Sequence, residues 1–331
     1  MATDTSERRT DPFRILALDG GGVRGAFTAS VLAELEKRTG TQCAERFDLI
    51  TGTSTGGLLA IALAMGHPAE QLCELYRNNG TVIFPLAGRM SRLLGFLRQL
   101  GRSKYDPKAL RAVLTEVLGS EKLGAARTRL AIPAYDLTNG RVFIFKTRHL
   151  DRFQFDVDIP AVEIAMCTSA APTYFPANVI AQQGNTRYVD GGIWANTPVL
   201  VAITEAVGFL GKSLDQLDLL SVGTTAPVPD FSDEIRSGLV GWGPKMASLF
   251  MTAQTQAAAA MGQVLCGKRF HRINAIVPND WMAMDSTKSV EKLIAAGRAE
   301  AVKDANFRVV SERFLNGVPI EPFVVPGGAP P

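Results

Sequence analysis

The chain has 331 residues, 46% apolar and 20% charged, and 35 basic against 32 acidic side chains leave a net charge of +3. That is apolar mass enough for one large α/β core plus a smaller excursion, and too much for a disordered chain. The charge balance lacks the basic field that a nucleic-acid polymer requires, and the four cysteines, with no C-x-x-C spacing, suggest neither a metal site nor a disulfide framework, in keeping with a reducing cytoplasm.

Residues 1–12 are polar, with Asp4, Glu7, Arg8 and Arg9 and no apolar core, which predicts a disordered tail and no secretory signal. A domain from 13 to 325 follows. Phe13-Arg14-Ile15-Leu16-Ala17-Leu18 reads as a buried strand, and a helix is predicted from Ala26 to Arg38. Between them lies Asp19-Gly20-Gly21-Gly22-Val23-Arg24-Gly25. Three consecutive glycines expose backbone N–H groups and form an anion nest, so Gly20, Gly21 and Gly22 are candidate donors to a tetrahedral oxyanion. Arg24 either adds positive charge there or ties down the loop. Gly20-x-Gly22-x-x-Gly25 also fits the dinucleotide fingerprint, but that motif needs an acidic residue ending the second strand. Asp48 stands at that strand's start.

The second strand, near 47–51, runs into Gly52-Thr53-Ser54-Thr55-Gly56-Gly57 and then an apolar helix from Leu58 to Met65. G-x-S-x-G between a strand and a helix is the setting of a nucleophile elbow: Ser54 is held in strained geometry and only small neighbours at Gly52 and Gly56 let the chain pass. Its place at a helix N-terminus favours developing negative charge. The competing reading is a tight turn with an incidental serine.

Residues 68–127 form a predicted helical cap. Within it Met90, Leu93, Leu94, Leu97 and Leu100 recur at helical spacing, with Arg92, Arg98 and Arg102 on the other side, so this stretch either packs its leucines on the core or lies on an anionic membrane surface. Strands are predicted near 129–134, 142–147, 186–190 and 217–223, which argues a largely parallel sheet covered on both faces. The strand ending at Tyr188-Val189-Asp190-Gly191-Gly192 offers a base. Gly191 and Gly192 let the chain turn away at once and leave the Asp190 carboxylate at the mouth of the sheet. An aspartate can serve only where a dry setting raises its pKa; otherwise it is a turn residue capping its own backbone. None of the three histidines is a better base. His67 sits in a helix-stop signal, His149 in a basic stretch, and His271, though its chain order suits a triad, in an alternating strand-like segment. Helices are predicted over 241–266 and 288–313, the first with small residues that suit the interior, a dimer interface or a ligand pocket, and 326–331 reads as a disordered tail.

Together with Ser169-Ala170-Ala171-Pro172-Thr173-Tyr174-Phe175-Pro176, these motifs resemble the patatin-like phospholipases, over residues 15 to about 225. The resemblance implies an α/β fold with a mostly parallel central sheet between helices, a helical cap and a helical C-terminal region. It implies a Ser54–Asp190 dyad with the glycine loop as oxyanion hole, no cofactor and no metal, acting on carboxylic esters of membrane glycerophospholipids from the cytoplasmic side of the inner membrane. Leu58, Leu59 and Phe175 are expected to line the acyl site. Bacterial members resembling this chain include nucleotide-activated phospholipases of antiphage defence. They supply a second expectation: an effector, monomer or homo-oligomer, that is silent until a small molecule such as a cyclic nucleotide, or a partner, binds the 226–325 region.

Overall fold

Strands buried on both faces read as near-continuous apolar runs, and Phe13–Leu18, apolar but for Arg14, is buried at every position. The structure, a computed structural model, describes residues 12–83, 105–227, 239–278, 281, 289–317, 319–320 and 323. The N-terminal stretch to residue 11, the segment carrying Arg92, Arg98 and Arg102, and the tail 326–331 lie outside them.

In chain order, β1 (Phe13–Leu18) leads through the glycine loop to α1 (Gly25–Thr39), and β2 (Leu49–Gly52) through the serine turn to α2 (Thr55–Ala64). Next come α3 (Ala69–Ile83) and α4 (Pro107–Leu118), then the hairpin β3 (Arg129–Asp136) and β4 (Arg141–Lys146). α5 (Ala161–Thr168), β5 (Asn178–Ile180) and β6 (Thr186–Asp190) precede α6 (Gly192–Ala195), α7 (Val199–Thr204), β7 (Leu217–Val222) and β8 (Ala226–Pro227). The last third holds α8 (Leu239–Cys266), β9 (Phe270–Ile273), β10 (Ile276–Val277), α9 (Val290–Ala301) and α10 (Asp304–Val310). Local chemistry sets the ends. α1 stops at Gly40 in the left-handed region, φ 68°, and α4 starts at Asp106, whose carboxylate accepts the Lys108 N–H with Pro107 in the first turn.

The sheet is mixed, with mostly parallel strands, and helices flank both faces. Alternation along β1 divides the core. Leu16 and Leu18 pack with Phe27, Leu32 and Ile61 on one side, while Ile15 and Ala17 pack with Val199, Ala202 and Ile203 on the other. β3, β2, β1, β7 and β9 run parallel in that order. Beyond them the directions reverse: β4 and β6 both pair antiparallel to β3, and β5 antiparallel to β6. β4 occupies one edge of β3 from Ala131 to Asp136, so β2, opposite residues 129–131, and β6, opposite 134–136, share the other edge. Their C-terminal ends therefore point at each other.

Two expectations change here. The second strand begins at Leu49, because Phe47 stacks on Phe314 at 5.8 Å and Asp48 accepts the Arg14 N–H at 2.9 Å. The region 226–325 is not only helical. It adds β9 to the main sheet, its β10 pairs with β8, α9 packs against α1, and α8 packs against α7.

Candidate active site

Ser54 occupies the sharp turn between β2 and α2 with φ 54° and ψ −124°, a conformation that side chains other than glycine rarely adopt. The turn closes only because Gly52 lacks a side chain, since a Cβ there would lie 2.0 Å from the Gly56 carbonyl oxygen; one on Gly56 would lie 2.3 Å from the Leu18 oxygen, on the neighbouring strand. The strained turn is held from outside. The Ser54 N–H donates to Thr168 Oγ1 at 3.1 Å, Thr168 donates to the Pro133 carbonyl at 2.7 Å, and the Thr53 hydroxyl donates to the Ala195 carbonyl at 2.6 Å. Inside the helix start, Thr55 and Tyr76 share a hydrogen bond between hydroxyls.

Asp190 reaches Ser54 from an antiparallel strand. It does not stand at the carboxyl edge of a parallel strand. β6 runs inward, antiparallel to β3, and ends opposite Ala134, three residues beyond the Ala131 that faces Thr51. Ser54 lies three residues beyond Thr51, so both side chains come to the junction between β2 and β6, and hydrogen bonding from Ser54 works to lower the Asp190 pKa. Asp190 is buried at 4% exposure. Burial pushes its carboxyl up to about 7, only partly opposed by the hydrogen bonds from Ser54 and from the Gly192 N–H, which donates to Oδ1 at 2.7 Å. Gly191 is pressed against β3: a Cβ would fall 2.5 Å from the Pro133 oxygen.

The glycine loop lies against this pair, with a Cβ on Gly20 projected 3.3 Å from Ser54 Cβ. Of the three expected donors, Gly20 is corrected by the structure, because its N–H already donates to the Asn196 carbonyl at 2.9 Å. Among the described residues no acceptor faces the N–H of Gly21 or Gly22, and Gly22 takes the left-handed φ of 60° that such a nest needs. Arg24 ties the loop down. Its buried guanidinium donates to the Gly21 carbonyl at 3.2 Å and to the Thr225 carbonyl at 3.3 Å, and burial lowers its pKa to about 10, with Asp19 opposing the shift. Asp19 is itself clamped by Arg272 of β9 at 2.5 Å.

No histidine is brought to this site. His271 lies on β9, three strands from β2, so about 14 Å separates the strands at the usual spacing. Its Nε2 faces Asn306 Oδ1 at 3.1 Å, and burial lowers its pKa. His67 follows the far end of α2 and contacts Gln71. His149 is buried against Glu205, Nε2 to Oε1 2.8 Å, beside Lys146, whose ammonium lies 2.5 Å from the other Glu205 oxygen. Leu59 and Phe175 are sealed in the core rather than lining a cleft. The dinucleotide reading fails on position: Asp48 is buried at the amino end of β2, bound to Arg14. Sequence reasoning missed Thr168 and Asn196. The first directly precedes the Ser169–Pro176 block, and Asn196-Thr197-Pro198 before α7 is a helix-start signal.

Among the described residues, no cluster of three His, Cys, Asp or Glu is placed to hold a metal ion, and no helix is long and apolar enough to cross a membrane.

A family model described as "Patatin-like phospholipase" matches residues 16–203. A protein of Pseudomonas aeruginosa named "cGAMP-activated phospholipase" is 34% identical over 316 residues, covering 94% of this chain and 91% of the relative. One of the same name from Vibrio cholerae is 33% identical over 278 residues, 77% of this chain and 78% of its own. "Patatin-like protein 2" of Oryza sativa subsp. indica is 34% identical over 229 residues, 63% of this chain and 56% of its own. Among solved structures, VipD from Legionella pneumophila aligns over 87% of this chain and 67% of its own, at 12% identity and a TM-score of 0.42.

Proposed function

The chain belongs to the patatin-like phospholipase family, and on that premise we propose that it hydrolyses carboxylic esters of membrane glycerophospholipids through a Ser54–Asp190 dyad. The observation that carries this reading is the buried Asp190 carboxyl, raised to about 7 and brought by β6 to the strained strand-to-helix turn of Ser54. Asp190 removes the Ser54 proton as Oγ attacks the ester carbonyl. The tetrahedral oxyanion is met by the N–H groups of Gly21 and Gly22. Collapse breaks the ester C–O bond, the alcohol of the lysophospholipid leaves with the proton from Asp190, and Ser54 holds the acyl group. Water then attacks the acyl-enzyme, giving its proton to Asp190, and the fatty acid departs as Ser54 is reprotonated. In this scheme Gly52, Gly56, Gly191 and Gly192 shape the two turns, Arg24 braces the loop, and Arg92, Arg98 and Arg102 meet anionic headgroups as the protein works from the cytoplasmic side of the inner membrane.

A second reading is favoured by one observation. The family model stops at residue 203, whereas similarity to the P. aeruginosa protein named a cGAMP-activated phospholipase covers 94% of this chain and so takes in most of the C-terminal third. We propose that this chain is gated in the same way: silent until a cyclic dinucleotide binds, as an effector in antiphage defence. Fatty acid released from mixed phospholipid vesicles, with and without cGAMP, tests both readings beside the Ser54→Ala variant. Release that needs Ser54 supports the hydrolase, and release that also needs cGAMP supports the gate. Equal release by Ser54→Ala refutes the mechanism.

A further inference from the structure

Two consecutive carbonyls hold the two halves of the site. Ala195 accepts the Thr53 hydroxyl of the serine turn at 2.6 Å, and Asn196 accepts the Gly20 N–H of the glycine loop at 2.9 Å. Whatever fixes the Ala195–Asn196 segment therefore fixes the distance between nucleophile and loop. Asn196 is buried, and both of its nitrogens donate to one helix. Its backbone N–H donates to Gln254 Oε1 at 2.7 Å, and its side-chain Nδ2 donates to Thr255 Oγ1 at 3.1 Å. Farther along, α8 packs by small and apolar residues: Ala258, Gly262 and Cys266 are buried, and a Cβ on Gly262 would lie 2.5 Å from Val199. Its polar contacts with the segment after Asp190 thus fall where it passes Asn196.

We infer that Gln254 and Thr255 are positioning residues for the glycine loop, acting through Asn196. This rests on the reading of the site as an acyl-transfer centre. It also places that centre under the hand of α8, which lies beyond the residues matched by the family model. An oxyanion contact forms only as charge develops, so a loosened loop lowers kcat and leaves KM in place. A displacement of about 1 Å at such a site costs up to roughly 100-fold in rate.

The test uses the full-length protein carrying Gln254→Leu and Thr255→Val together, with Thr255→Ser as the conservative variant that keeps the hydroxyl acceptor. Steady-state hydrolysis of p-nitrophenyl butyrate is measured beside hydrogen exchange of the peptide spanning residues 18–25. The double variant is expected to lose about 10- to 100-fold in kcat at unchanged KM, with faster exchange in that peptide, and Thr255→Ser to behave as wild type. Wild-type kcat in the double variant, or unchanged exchange across 18–25, overturns the inference. Should the wild-type protein cleave no ester even with cGAMP, the proposed function fails, and the exchange measurement alone decides the link from α8.

Discussion

Lowering the pH should switch the enzyme off far above the range where an ordinary carboxylate titrates. Asp190 must be ionised to take the Ser54 proton, and burial has moved its pKa from 3.8 to about 7. At pH 5 roughly 1% of such a group is ionised, against over 90% of one left at the ordinary value, so kcat/KM for a soluble ester should fall about tenfold per unit below pH 7. The same shift acts on stability. Because the folded pKa is raised, its contribution is whole below 3.8 and is lost as pH climbs to about 7; holding the charge costs the fold about 4 kcal/mol above that. Asp190→Asn keeps the shape without the charge. Hydrolysis should vanish, and urea unfolding should show its stability advantage over wild type growing by about 3 kcal/mol from pH 5 to pH 8. His271→Ala should leave the pH profile in place, since that ring lies strands away. Full activity persisting at pH 5.5, or a limb that disappears with His271, would refute the assignment of Asp190 as base.

The turn stores strain that can be released. Ser54→Gly should abolish labelling by a fluorophosphonate yet raise stability by roughly 1 kcal/mol, because glycine accepts φ 54° while costing some entropy of its own; a destabilised variant in a thermal melt speaks against strain. Gly52→Ala should destabilise by roughly 1–3 kcal/mol and lose hydrolysis, since the new methyl meets the Gly56 oxygen at 2.0 Å. Away from the site, Lys146→Met leaves Glu205, 1% exposed, without its ammonium partner, and should cost about 3–5 kcal/mol in urea unfolding while hydrolysis per folded molecule is unchanged.

The local chemistry of the site was legible because it is written in contiguous residues. Glycines at 20–22, 52, 56, 191 and 192 are demanded by turns whose strands and helices also show in the apolar pattern, so the elbow, the nest and the aspartate turn could each be drawn from a dozen residues. How those pieces meet was not legible. Apolar runs show that β3 and β6 are strands but not which way β6 runs, and it is the antiparallel direction that sets its Asp190 end head to head with the end of β2. The donor set failed at Gly20 for the same reason, since the carbonyl that occupies its N–H belongs to Asn196, 176 positions on. The basicity of Asp190 likewise depends on burial by chain that no motif names. Where β2 and β6 end head to head on one edge of β3, the Ser54 turn, the Asp190 turn and the Thr168 hydroxyl that ties the first of them to Pro133 fill the junction. A carboxylate closing such a junction is buried, and its proton affinity rises because the fold leaves water little room to reach it.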